Sequence, residues 1–354
     1  MSGCYVFSVY RIDSSWVIVL GKRTHTITIL LTFFGFAVLI LDTRTAVEGA
    51  KNGIALCLHS IIPSLLPFCV LSKVICTHTV GKRLRYLRPI NCLLGIPEGT
   101  ESIFLLSFLS GYPVGSQCIA DAYNSHAISR QDAERMLSFC NNAGPAFIFG
   151  VLGCLFPNTL AVWSLYIIHI GSAVLVGILM PKKTYKVGSL PVRAPLTLNK
   201  ALEDSIKTIG IVCTWIILSK TAIQIINKWF LHKLCTFLQV IFVGIFELSN
   251  GCIDLMKLDS LSWRYILCAL FLSLGGLCIT LQTVSVTKGL SKRLYFPGKA
   301  LQAVFSTTLA TLTYPLLFQE KNILPTPLVL SICIILSVTI VLFLKKSKKA
   351  VAIA

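Results

Sequence analysis

The sequence predicts an all-α polytopic membrane protein made of two weakly related repeats, read as inverted, with re-entrant hairpins and broken helices. Three observations lead there. Charged residues make up only 13% of the 354-residue chain and hydrophobic ones 55%, whereas a soluble protein carries about 25% charged residues. The apolar surplus lies in long runs free of Asp, Glu, Lys and Arg: Met136 to Met180, Tyr265 to Thr287, Ala300 to Gln319 and Leu328 to Leu344. A bilayer crossing needs roughly 20 such residues, and a β-barrel would instead show short alternating segments. Finally, one apolar stretch is interrupted by Gly95-Ile96-Pro97, Gly111-Tyr112-Pro113 and Ala143-Gly144-Pro145, and it contains Glu98, Glu101, Asp121, Asn141 and Asn142. Lipid offers no partner to broken backbone or to a carboxylate, so such a stretch must be buried in protein or line a cavity.

In chain order, residues 1–50 hold a mildly apolar N-terminal segment and a first span at about 26–41, read as uncleaved because no small-residue cleavage pattern follows it. Residues 51–180 form the first repeat. Its opening segment at about 52–76 is kinked at Pro63 and Pro67. A basic amphipathic stretch at 77–94 lies at the interface or starts a re-entrant hairpin, and GIPEGTE (95–101) is the first tip. Helices follow at 102–125, interrupted at Gly111-Tyr112-Pro113, and at 131–156, broken at Asn141 to Pro145; 159–180 is a plain span. Residues 181–199 are a polar basic loop. Residues 200–320 form the second repeat: an apolar segment at about 208–226, a run at 234–246 ending in the tip Gly244 to Gly251, a helix at 261–286 containing Gly275-Gly276, and a helix at 298–318. A last span at 325–344 and a basic tail complete residues 321–354.

The repeat rests on three short matches in the same order. Ser110 to Gln117 aligns with Gly275 to Gln282, the Glu98 tip with the Glu247 tip, and Leu71-Ser72-Lys73 with Leu218-Ser219-Lys220. Duplicated units whose broken helices meet at the midplane are a secondary-transporter pattern. The net charge of +18 sits in the gaps between apolar runs and reads as positive-inside topology, which puts the N-terminus, 77–94, 181–199 and the tail in the cytoplasm. A hairpin at 80–125 satisfies this. A second hairpin at 234–286 would send the tail to the other side, so either one second-half segment crosses fully or the rule is broken.

The same composition excludes other classes. With no soluble domain to present a basic surface, nucleic acid is not an expected partner. The 14 cysteines contain no C-x-x-C pair and lie mostly in apolar runs, and the six histidines show no ligand spacing, so neither a metal nor another cofactor is expected. No nucleophile–base pair is visible, so the chain is not read as an enzyme. The lipid bilayer is the expected partner, and a homo-oligomer stays open.

Candidate substrate-binding residues sit at the breaks. Half-helix N-termini offer N–H donors and C-terminal ends offer carbonyls. Gly111, Pro113 and Gly115 open the backbone, and Tyr112 adds an aromatic face and a hydroxyl. Glu98 and Glu247 are carboxylates at predicted tips, with Thr100, Ser249 and Asn250 beside them. Asn141, Asn142, Gln117 and Gln282 are polar groups next to glycines.

The block SGYPVGSQ (110–117), followed by ISRQDAERMLSFCNNAGPAFIFGVLG (128–153), resembles the YlbJ (SpoVV) family of sporulation integral membrane proteins. The tip Gly244-Ile245-Phe246-Glu247 and the Gly-Gly-Leu…Gln helix extend the resemblance over about residues 50–320. The family falls in the nucleoside-recognition Gate-domain group, which is similar to concentrative nucleoside transporters. In those, two hairpin tips carrying Glu hold the substrate, which implies Glu98 and Glu247 here. The resemblance implies an outer forespore membrane protein that moves dipicolinic acid, a small planar dianion, from mother cell toward forespore for cortex-stage spore maturation. Cys140 and Asn142 depart from the Thr and Ser expected before Gly144-Pro145. The other expectations are a carrier of a nucleoside or another small polar metabolite, and a non-transporting scaffold for spore-envelope assembly.

Overall fold

The computed structural model describes residues 29–318, apart from 31, 81, 83, 157 and 182–196, and also Leu336. The predicted loop 181–199 and last span 325–344 therefore lie almost wholly outside the described residues. Every regular element among the described residues is helical. Among the described residues, five helical stretches are long and apolar enough to cross a membrane: Thr43–Thr79, Thr159–Leu179, Leu198–Trp229, Leu261–Val286 and Tyr295–Phe318. The chain is a polytopic helical membrane protein.

The predicted first span and the second segment are consecutive. The apolar helix Thr32–Leu41 runs on through Asp42 into α1 (Thr43–Thr79), with no loop between them. A single π-turn at Cys57–Ile61 interrupts α1 just ahead of Pro63. A proline ring clashes with the carbonyl four residues earlier, and a wider turn there relieves the clash. Pro67 sits within the helix beyond it.

Helix α8 (Leu198–Trp229) lies antiparallel against α1. Gly49 meets Thr221, Gly53 meets Ile217, and the Cys57 thiol faces the Cys213 carbonyl. A Cβ on either glycine would stand 2.8 Å from a backbone Cα of α8. The Gly-x-x-x-Gly pair thus lets two backbones touch, where dispersion drives association that lipid does not. One end of the pair is anchored by polar groups. Lys228 Nζ donates to Asp42 Oδ1 (2.8 Å) and to Thr45 Oγ1 (3.1 Å), and Trp229 Nε1 donates to Asp42 Oδ2 (3.0 Å). α8 starts at Leu198, four residues before the amphipathic start expected at Leu202 to Lys207 ahead of the apolar segment, because Thr197 caps it and Lys200 pairs with Glu203 and Asp204 along its first turns.

Between these scaffolds run short helices: α2 (Arg88–Leu94), α3 (Glu101–Leu109), α4 (Val114–Asn124), α5 (Arg130–Met136) and α6 (Pro145–Leu152), leading into α7 (Thr159–Leu179). All three predicted Gly/Pro clusters interrupt helix. The polar link before α5 is a capping arrangement. Ser129 Oγ accepts from Asp132 N (3.1 Å) and donates to the Asp132 carboxylate (2.7 Å). Glu134 pairs with Arg130 at 2.8 Å and also accepts from Ser291 N. Arg135 is buried, and its guanidinium reaches the carbonyls of Leu94, Gly95 and Gly177. It thereby closes the C-terminal ends of α2 and α7, where a cation answers the orphan carbonyls.

After α8 come α9 (Thr236–Phe246), α10 (Leu248–Asp254), α11 (Leu261–Leu274), α12 (Gly276–Val286) and α13 (Tyr295–Phe318). Here the structure corrects the predicted continuous helix 261–286. Gly275 and Gly276 both take φ +72°, so α11 ends in a left-handed cap and α12 starts afresh. A Cβ on Gly276 would press to 3.0 Å from the Ile245 carbonyl. α13 packs against α11 and α7. Two apolar clusters form the core, one on α3 to α5 and the far half of α7, the other on α6, α11 and the near half of α7. The helix breaks lie where the clusters meet: Val114 and Cys140 belong to the first, Tyr112 and Ala143 to the second.

Candidate functional site

Four breaks converge. The first is Ser110 to Pro113, between α3 and α4. The second is Leu137 to Gly144, between α5 and α6. The third is Glu247, between α9 and α10, and the fourth is Gly275, between α11 and α12. Gly111 and Gly144 cross so closely that a Cβ on Gly144 would stand 2.7 Å from the Gly111 nitrogen. Gly111 also holds φ +79°, a conformation that favours glycine. Tyr112, from the first break, reaches the fourth: its hydroxyl donates to the Leu272 carbonyl at 2.9 Å.

A cavity of about 50 Å³ opens at this meeting point. It can hold a few ordered waters, since one needs roughly 10–15 Å³. The breaks supply Ser110, Gly111, Tyr112, Ala143, Gly144, Glu247 and Ser249, and α12 adds Ile279 and Gln282. Ile61, Ser64 and Leu65 of α1 and Val212 and Ile216 of α8 close the far wall. Those residues stand near mid-length of two membrane-length helices.

The polar groups around it form two networks. In the first, Glu247 is 1% exposed and caps α10. Its Oε1 accepts from Ser249 N (3.0 Å), and its Oε2 accepts from Asn250 N and Asn250 Nδ2 (both 2.7 Å). Lys220 of α8 donates to Asn250 Oδ1, so a cation, an amide and a carboxylate stand in series. The second network is centred on Lys299. Its Nζ donates to Tyr112 OH (3.0 Å), Asn141 O (2.9 Å) and Gln302 Oε1 (2.8 Å). Gln302 Nε2 donates to Asn142 Oδ1 at 2.9 Å, and Ala143 N donates to His169 Nε2 at 3.0 Å. These bonds tie the second break to α13 and α7.

One wall group is left with an open acceptor. Gln282 is fully buried, and its Oε1 has no hydrogen-bond partner among the described residues. Its Nε2 meets only the Cys278 sulfur, at 3.3 Å. A buried amide left half-satisfied on a cavity wall is available to a ligand, and its two ends can exchange roles.

Of the predicted residues, Gly111, Tyr112, Glu247, Ser249 and Gln282 line the cavity. Asn141, Asn142 and Asn250 stand just behind it: Asn141 Nδ2 donates to Thr283 Oγ1 (2.8 Å) and Asn142 Nδ2 to Phe139 O (2.7 Å). Pro113 accepts from Gln117 N at the start of α4. Gly115 packs under the Cys140 carbonyl, with room for no side chain. Gln117 points to Asp121, at 3.0 Å. The structure does not bring the Glu98 tip here. Glu98 is exposed, and Thr100 is buried with its hydroxyl on the Pro97 carbonyl. Arg135 fixes Gly95 to Gly177, eight residues or about 12 Å along α7 from His169. The buried carboxylate of that region is Glu101, which accepts from Asn91.

A 131-residue segment of the chain is 32% identical to the sporulation integral membrane protein YlbJ of Bacillus subtilis (strain 168). The segment covers 35% of this chain and 31% of that protein, so the chain spans about a third of its relative's length. No family model matches the chain, and no solved structure matches it.

Lys299, Gln302, His169 and Lys220 are site residues that sequence reasoning missed. Lys299 falls inside the helix predicted at 298–318, at the edge of the charge-free run that begins at Ala300, and was not singled out. The helix starts at Tyr295 instead and carries Lys299 inside. Lys220 had a signal in the repeated Leu-Ser-Lys. Ser72 of the first copy bonds to Ser110 at the first break, and Lys220 of the second bonds to Asn250 at the third.

Proposed function

We propose that the protein is a transporter of a sporulation membrane, carrying a small polar solute through the cavity between its helix breaks. The observation that carries this reading is the convergence of four breaks, with Glu247 and Gln282, on one cavity near mid-length of α1 and α8. A scaffold gains nothing from broken backbone and a buried carboxylate at that depth, whereas a carrier needs both to replace a solute's water. On this reading the two runs of helices, each a long helix followed by two broken ones and another long helix, are duplicated units. The likeness to the Bacillus subtilis protein supports the setting. Dipicolinic acid, moved across the outer forespore membrane toward the forespore, is the substrate we infer from the resemblance.

The cavity as it stands is smaller than such a solute, so at least one break must shift during a transport cycle. Proteoliposomes with labelled dipicolinate, labelled uridine and empty-vesicle controls test the proposal. Saturable dipicolinate uptake is expected. Uridine uptake in its place would overturn the substrate and keep the carrier; uptake of neither by folded protein would favour the scaffold.

A further inference from the structure

Lys299 is a charge that the proposed function has not used. It is the fifth residue of α13 and is 4% exposed. All three of its acceptors, Tyr112 OH, the Asn141 carbonyl and Gln302 Oε1, are neutral. Among the described residues no carboxylate comes within ion-pair distance of it. A buried ammonium without a counter-charge is costly, and buried lysines in membrane helices are found on substrate paths.

Its position suits that role. Nζ lies 5.1 Å from the centroid of the Tyr112 ring, and Tyr112 is a wall of the cavity. The positive charge therefore stands one side chain behind the cavity, at the joint of the first and second breaks. On the opposite wall the carboxylate of Glu247 and the ammonium of Lys220 stand in series across Asn250 and offset each other. Glu247 is held by two backbone donors and the Asn250 amide, and Lys220 is held by Asn250. Among the described residues Lys299 is then the cation beside the cavity that no carboxylate within ion-pair distance offsets.

We propose that Lys299 is the charge-selecting residue of the site, so that the site takes a small solute bearing at least one carboxylate, sensed through Tyr112 rather than by direct contact. The assignment rests on the transport reading, because it makes the cavity the solute site. The competing role is a staple joining α13 to the two breaks; Lys299→Gln keeps hydrogen-bonding capacity while removing the charge. At an effective dielectric near 20, one charge across a single aromatic ring changes affinity by about tenfold or more.

The test is equilibrium binding of pyridine-2,6-dicarboxylate and of its neutral diamide to the full-length protein in detergent, as wild type, Lys299→Gln and Lys299→Arg. The diacid is expected to bind wild type about tenfold or more tightly than the diamide. Lys299→Gln should erase that preference with the diamide affinity kept within about threefold, and Lys299→Arg should retain it. Equal weakening of both ligands in Lys299→Gln would make Lys299 a staple and overturn the assignment. Failure of wild type to prefer the diacid would overturn it as well. Diacid binding without uptake in proteoliposomes would defeat the transport reading alone.

Discussion

Glu247 does two things with one carboxylate. It forms part of the cavity wall, and it caps the seven-residue helix α10 through Ser249 N and Asn250 N. So short a helix cannot sustain itself, and its N-terminal donors are buried away from water. A Glu247→Gln side chain has one acceptor oxygen for three donors and turns an NH₂ toward them. We predict that this substitution lowers stability by about 1–3 kcal/mol, seen as a drop in the thermal unfolding midpoint in detergent. An unchanged midpoint would mean that the cap is not formed. Glu98 is exposed at a turn and caps no buried helix end, so Glu98→Gln should move the midpoint less than Glu247→Gln.

At the scale of elements, α1 and α8 form the wall against which the breaks rest. Their contact depends on Gly49 and Gly53, where an added Cβ meets backbone rather than a side chain able to turn away. Backbone gives only if a whole helix moves, so we predict a loss of about 1–3 kcal/mol for Gly53→Ala. Gly210→Ala on α8, where nothing stands within 4 Å of the new methyl, should be neutral or slightly stabilising because it favours helix. Equal effects of the two changes on the unfolding midpoint would contradict the packing described. Legibility also varied at this scale. Helix breaks with a proline beside the glycine, as at Gly111-Tyr112-Pro113 and Gly144-Pro145, were readable because proline removes a donor and a conformation together. Gly275-Gly276 read as continuous helix, since glycines in an apolar run are tolerated in membrane helices. What breaks the helix there is close packing against the Ile245 carbonyl, a contact 30 residues away in sequence.

For the whole molecule, the helical membrane class was legible in the charge-free runs, because lipid demands length and apolarity and little else. The site was half legible. The chain marks Tyr112, Glu247 and Gln282 by putting polar groups next to broken backbone. It does not say which breaks meet: GIPEGTE and GIFELSNG look alike as strings, yet Arg135 fixes the first near the end of α7 while the second closes the cavity. Lys299 was hidden at the edge of an apolar run, since burial of a charge is a property of the assembled helices.

The central claim is that solute passes through the cavity at Gln282 and Glu247 and not at the Glu98 tip. The most direct measurement is uptake by proteoliposomes carrying Gln282→Leu beside Glu98→Gln, each normalised to folded protein. Leucine fills nearly the same volume and removes an unpaired buried acceptor, so Gln282→Leu should fold as well as wild type. At least about a tenfold loss of saturable uptake is expected in Gln282→Leu, with uptake within about twofold of wild type in Glu98→Gln. Wild-type uptake in Gln282→Leu together with loss in Glu98→Gln would move the site to the other tip and contradict the account.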